Sequence, residues 1–161
     1  MDTTALIHFL SESTYLLVVI VIFLGIAIFK GRQALINIIC GLYFALLISV
    51  YFPYYERLIG GITQATVQAG IKLLFFIALT FIFTKLFKRL MPSEYHEGKF
   101  ESFHKKILLA AGASILVMAF SFNVLPVGEF LTTNTPIQIL FSSEGLFFWW
   151  LLLPLVFLYL N

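Results

Sequence analysis

Chemistry needs a nucleophile with a base, an acid–base pair, or metal ligands at workable spacing, and this chain offers few candidates. His8, His96 and His104 are dispersed, with no H-E-x-x-H, no C-x-x-C and no glycine-rich phosphate loop. His96 and His104 share a segment with Glu94, Glu97 and Glu101, a set able to bind a metal weakly. The segment's mixed charge, proline and glycine read more simply as a solvated loop. Ser114 and Ser121 stand in an apolar run with no His or Asp in sequence reach, so packing or hydrogen bonding between helices is their expected use. Cys40 is the only cysteine and lies in a hydrophobic run, which excludes an intrachain disulfide and leaves core packing as its role. No catalytic residue, cofactor or metal is expected, and the chain is read as not an enzyme.

Polar side chains set among apolar ones carry more information, because placing them in hydrocarbon is costly. The set is Asn37, Gln68, Lys72 and Asn123. Lys72 follows Gln68 by one helical turn, so the two side chains point the same way. Glu56, Glu129 and Glu144 in the neighbouring loops are candidate counter-charges for it. The simpler reading is a lysine that snorkels to the headgroups.

The elements that must position these residues follow from hydropathy. Of 161 residues, 61% are apolar and 11% charged, against roughly 45–50% and about 25% in soluble domains. A soluble fold of this size leaves too much apolar surface in water, whereas lipid removes the problem. The formal charge of +2 is too small to suggest nucleic acid as a partner. The pattern predicts an all-α integral membrane protein with one domain, a bundle of five spans at about 13–29, 33–52, 69–90, 107–125 and 145–160. The count falls to four if the last segment, interrupted by Pro154, dips in and returns. Residues 15–29 are rich in Val and Ile, but in lipid every backbone amide needs an internal partner, so a helix is expected. Its fifteen residues rise only about 22 Å, so it must recruit Ser11–Thr14 or thin the bilayer.

Lys and Arg set the orientation. With the N-terminus outside, the cytoplasmic segments, including the loop 91–106, hold Lys30, Arg32, Lys85, Lys88, Arg89, Lys99, Lys105 and Lys106. Only Arg57 and Lys72 lie outside, and five spans return the C-terminus to the cytoplasm. Met1–Thr14 carries Asp2 and Glu12 but no Lys or Arg, unlike the positive start of a secretory signal, so the first run is expected to be retained.

The first two spans are joined only by Lys30-Gly31-Arg32, which forces them to lie antiparallel in contact. Gly31 supplies the positive φ or the close approach that such a turn requires. The small-residue patch Ala110–Ser114 is expected at helix contacts. The run GIAIFKGRQALINIICGLYFALLISVYFPYYERL resembles the opening of the bacterial colicin V production protein (CvpA) family, small inner-membrane proteins whose first hairpin turns through a basic, glycine-bearing segment. The resemblance continues through the basic end of the third span and the HKKILLAAG stretch, covering about residues 15–120, and leaves out the FWWLLLPLVFLYL tail. It implies a non-enzymatic protein supporting envelope homeostasis or toxin and peptide export, acting in the bilayer with a membrane-protein partner or as a homo-oligomer. The rival expectations are a small transporter or channel subunit with a polar path near Lys72, or a holin-like pore former.

Overall fold

The computed structural model describes residues 3–91, 103–125 and 136–160, with the side chains of 14–91, 103–125, 139–143 and 145–160. Glu129 and the loop bearing Glu94, His96, Glu97, Lys99 and Glu101 lie outside the described residues, as do the side chains of His8 and Glu144. Every regular element among the described residues is helical: α1 (Thr3–Lys30), α2 (Arg32–Tyr51), α3 (Tyr55–Ile59), α4 (Ala65–Leu90), α5 (Phe103–Asn123), α6 (Pro136–Ser142) and α7 (Glu144–Tyr159). Of these, α2, α4 and α5 are long and apolar enough to cross a membrane. Shorter apolar stretches occupy Thr14–Lys30 of α1 and Gly145–Tyr159 of α7.

Several helices begin earlier than hydropathy indicates. α1 starts at Thr3 rather than at 13, α4 at Ala65 rather than at 69, and α5 at Phe103 rather than at 107. The added stretches hold no glycine or proline, so nothing in them stops helix propagation even where they turn polar. The early start gives α1 a length of about 42 Å, which removes the shortfall of its apolar core. α3 and α6 are single short helices in what reads as connecting sequence.

Chain punctuation follows backbone chemistry. α1 and α2 are separated by Gly31 alone, at φ 83° and ψ 169°, a region essentially reserved for glycine. A Cβ built there would meet nothing within 4 Å, so conformation and not close packing requires the glycine. At the far end of α2, Phe52 adopts extended φ −71°, ψ 110°, the region to which the following Pro53 restricts it. α7 runs as one helix through Pro154, which is buried against α5.

The core forms where α2 and α5 meet, with α1 and α7 packed on α5 and α4 on α2. Leu35, Ile39, Ala45, Leu46, Leu109 and Leu116 are fully enclosed. Small residues set the spacing. At Gly41 a Cβ would come within 2.9 Å of the Thr84 amide nitrogen and 3.0 Å of the Thr80 carbonyl, so α2 and α4 touch backbone to backbone. Phe44 then stacks on Phe83 one turn further on, with centroids 5.5 Å apart. At Gly112 a Cβ would lie 3.2 Å from the Phe157 ring and 3.6 Å from Pro154, where α7 crosses α5. Ala110, Ala113 and Ser114 beside it are buried. Where lipid is the solvent, such close contacts, and not apolar burial, hold helices together.

α4 has one buried side chain, Phe76, whose ring stacks on Phe120 of α5 at 3.8 Å. Its outer surface shows Leu74, Phe81, Ile82 and Leu90, each more than half exposed. An apolar face of that extent suits hydrocarbon and not water.

Candidate functional site

A larger recess runs along the side of the bundle and a smaller one lies at one end of it, and three contacts establish which helix ends share a side. Gln33 at the start of α2 reaches the Met91 sulfur just past α4, at 3.9 Å. Lys72 near the start of α4 reaches the Val124 carbonyl just past α5. Tyr15, in the first half of α1, reaches Ser121 near the end of α5. Lys30, Arg32, Lys85, Lys88, Arg89, Lys105 and Lys106 therefore gather at one end, and Arg57 and Lys72 at the other.

The larger recess is a cleft of about 1160 Å³ between α1 and α4, floored by α2 and α5. It exists because α1 and α4 share no packed face, each leaning on the helices between them. Its walls are apolar, with Phe23, Ile38, Leu42, Leu73, Ile77 and Phe81. Its basic end carries the exposed side chains of Lys30, Lys85 and Lys88. Lys85 lies over the ring of Phe81, 5.3 Å from its centroid. At the opposite end Tyr15 and Ser121 meet at 3.0 Å. The Ser121 hydroxyl proton goes to the Val117 carbonyl at 2.9 Å, so the phenol is the donor of the pair.

Three polar side chains line the cleft between those ends. Thr80 returns its hydroxyl to the Phe76 carbonyl at 2.8 Å. Thr84 Oγ1 and Asn37 Oδ1 are buried with no hydrogen-bond partner among the described residues. Asn37 is 5% exposed, which makes its orphaned carbonyl costly unless something in the cleft donates to it.

The smaller recess, about 410 Å³, is lined by Tyr55, Glu56, Gly60, Gly61, Gln68 and Lys72, together with Ile59 and Ile62. Gln68 Nε2 donates to the Ile62 carbonyl at 2.7 Å and so braces the connection from α3 to α4. Lys72 Nζ donates to the Val124 carbonyl at 3.1 Å and lies 5.4 Å over the Tyr55 ring. Among the described residues no carboxylate forms an ion pair with it. Its acceptor is an end carbonyl of α5, where the helix dipole places partial negative charge. Burial pushes the Tyr55 phenol up from its ordinary pKa.

The polar set singled out from the sequence is thus divided. Lys72 and Gln68 share the small recess, and Asn37 belongs to the cleft. Asn123 lines neither; its amide donates to Ala119 and Phe141 carbonyls at 2.8 and 3.1 Å, tying α5 to α6. Within one chain these four do not line one path. Lys30, Gly31 and Arg32 form the hairpin turn, and Lys30 also belongs to the cleft mouth. Sequence reasoning passed over the cleft contributions of Lys85, Lys88, Tyr15 and Thr84. The available signal was a lysine pair three residues apart on a helix whose preceding turns carry two threonines. Ser114 is satisfied within its own helix by the Ala110 carbonyl at 2.8 Å.

Compared with protein-family models, with curated proteins and with solved structures, the chain finds no match.

Proposed function

We propose that the chain is a non-enzymatic, multi-pass bacterial inner-membrane protein of CvpA-like type, in which α1, α2, α4, α5 and α7 each cross the bilayer. It supports envelope homeostasis or export by holding a hydrophobic molecule or segment against its lateral cleft. The cleft between α1 and α4 carries this reading: an apolar trough in the side of the bundle is accessible from within the bilayer and not from water alone. The N-terminus lies outside and the C-terminus in the cytoplasm. The gathering of seven Lys and Arg at one end of the bundle, against Arg57 and Lys72 at the other, supports that orientation.

Two assays on the full chain test the function. Crosslinking followed by pull-down is expected to recover a stable complex with a partner or a second copy, and proteoliposomes are expected to show no ion flux above empty vesicles. Flux that depends on Lys72 or Asn37 would replace this reading by the transporter or pore reading.

A further inference from the structure

We infer that the cleft between α1 and α4 is a binding site for an anionic glycerophospholipid, with its tail along the apolar walls and its phosphate at Lys30, Lys85 and Lys88. The inference deepens the cleft reading above and rests on the chain being embedded in a membrane.

Three independent features select this class of ligand. Shape requires an elongated apolar group. From Tyr15 to Lys30 the α1 wall rises about 22 Å, more than half of the roughly 30 Å hydrocarbon core, which accommodates the tail of a lipid from one leaflet. Charge requires an anion. Three exposed ammonium groups border the cleft at one end, and among the described residues its lining holds no Glu or Asp. Two of the three stand on α4 and the third on α1, so a phosphate between them neutralises charge from both walls at once. Hydrogen bonding requires a donor. Asn37 stands about 7.5 Å along α2 from its start, its carbonyl oxygen buried and unpaired in the cleft lining. A headgroup glycerol hydroxyl supplies that donor, so phosphatidylglycerol meets all three requirements and phosphatidylcholine, which has no donor and no net charge, meets one.

The smaller recess offers no such match. Its cation is already engaged by Val124 and Tyr55, and its volume is about 410 Å³. Lys72 therefore serves as the internal control.

The test uses the full chain in nanodiscs and in mixed micelles, with lipid retention read by native mass spectrometry against phosphatidylglycerol and phosphatidylcholine. Wild type is expected to retain phosphatidylglycerol preferentially. The triple variant K30Q/K85Q/K88Q is expected to lose that preference. A lysine near an anionic lipid surface contributes about fivefold in affinity, so the full loss is on the order of a hundredfold. Ala34→Trp fills the trough beneath intact lysines and is expected to release the lipid, which separates seating in the cleft from surface attraction. Lys72→Gln is expected to retain it as wild type does. Where Ala34→Trp does not fold, K105Q/K106Q makes that separation, since both lysines stand at the same end of the bundle but outside the cleft lining: it is expected to keep the preference, and its loss there overturns seating in the cleft. Equal retention of the two lipids, an unchanged preference in the triple variant, or full retention by folded Ala34→Trp each overturns the proposal. A chain that inserts into nanodiscs with no lipid preference removes the headgroup site and leaves the membrane reading standing.

Discussion

Lys72 donates to the carbonyl of Val124 across 3.1 Å, so the first turns of α4 are fastened to the last carbonyl groups of α5. A cation at a helix C-terminus answers two needs together: it satisfies an end carbonyl that has no intrahelical partner, and it opposes the negative end of the dipole. The Tyr55 ring beneath the ammonium adds a face that favours positive charge and draws α3 into the same junction.

Replacing Lys72 with Met is accordingly expected to lower stability by about 1.5–3 kcal/mol, the range for a hydrogen bond to a charged group. Lys72→Arg is expected to lose less than half of that, since guanidinium keeps the charge but not the compact ammonium geometry. Thermal unfolding of the purified protein in detergent measures both. Equal stability of wild type and Lys72→Met would show that the residue acts only as an interfacial anchor.

The glycines separate into two kinds, with different expected responses. Gly41→Ala drives a methyl group into the α4 backbone at Thr80 and Thr84, which cannot rotate aside. Its cost is expected in the range of about 1–3 kcal/mol seen for overpacked sites. Gly112→Ala presses on the Phe157 ring, a side chain that can shift, so a smaller loss is expected. The reverse order in chemical or thermal unfolding would mean that α4, and not α7, is the loosely held helix.

Gly31 obeys another rule. Space around it is open, yet its φ 83°, ψ 169° lies outside the left-handed helical region that Asn tolerates. Gly31→Asn and Gly31→Ala are therefore expected to cost alike, about 1–3 kcal/mol each. Measured recovery of stability by Asn relative to Ala would point to a turn that relaxes into an ordinary left-handed conformation.

These cases mark what a reader of the sequence can and cannot obtain. The turn at Lys30-Gly31-Arg32 is legible because a local backbone need selects a local residue type. The length and apolarity of α2, α4 and α5 are legible because lipid imposes them segment by segment. The partner of Lys72 is not, since a backbone carbonyl carries no residue identity and sits 52 positions away. Gly41 is visible as a glycine, but the Thr80–Thr84 surface it admits depends on the crossing of two helices. The cleft is less legible still. It arises from α1 and α4 failing to meet, a relation between helices that no single segment encodes. The early starts of α1, α4 and α5 were hidden for a different reason: hydropathy marks where lipid begins, whereas helices continue until a breaker stops them.

Topology has a direct test. In a variant lacking Cys40, single cysteines at positions 93 and 133 replace Ser93 and Thr133, one in each of two connecting segments. An impermeant thiol reagent added to intact cells is expected to label position 133 and spare position 93, following the positive end of the bundle into the cytoplasm. Labelling of 93 alone would invert the orientation, and labelling of both would place the two segments on one side and remove the crossing of α5.

The hydrogen bond from Tyr15 to Ser121 lies at the end of the cleft opposite the lysines and links α1 to α5. In membranes such bonds average about 0.6 kcal/mol by double-mutant cycles and reach about 1.7, because polar groups find other partners when released. Tyr15→Phe removes only the donor, and Ser121→Ala removes the acceptor together with the back-bond to Val117. Each single change is expected to cost about 0.5–1 kcal/mol in detergent unfolding, and the double variant less than their sum. The deficit from additivity reports the bond itself. A coupling indistinguishable from zero would show that α1 is held by its apolar contacts alone, with Phe23 and Leu24 packed on the core. A measurable coupling with unchanged lipid retention in Tyr15→Phe would instead mean that the bond fixes the position of α1 without closing the trough, since a lipid tail entering between α1 and α4 does not need to pass that end.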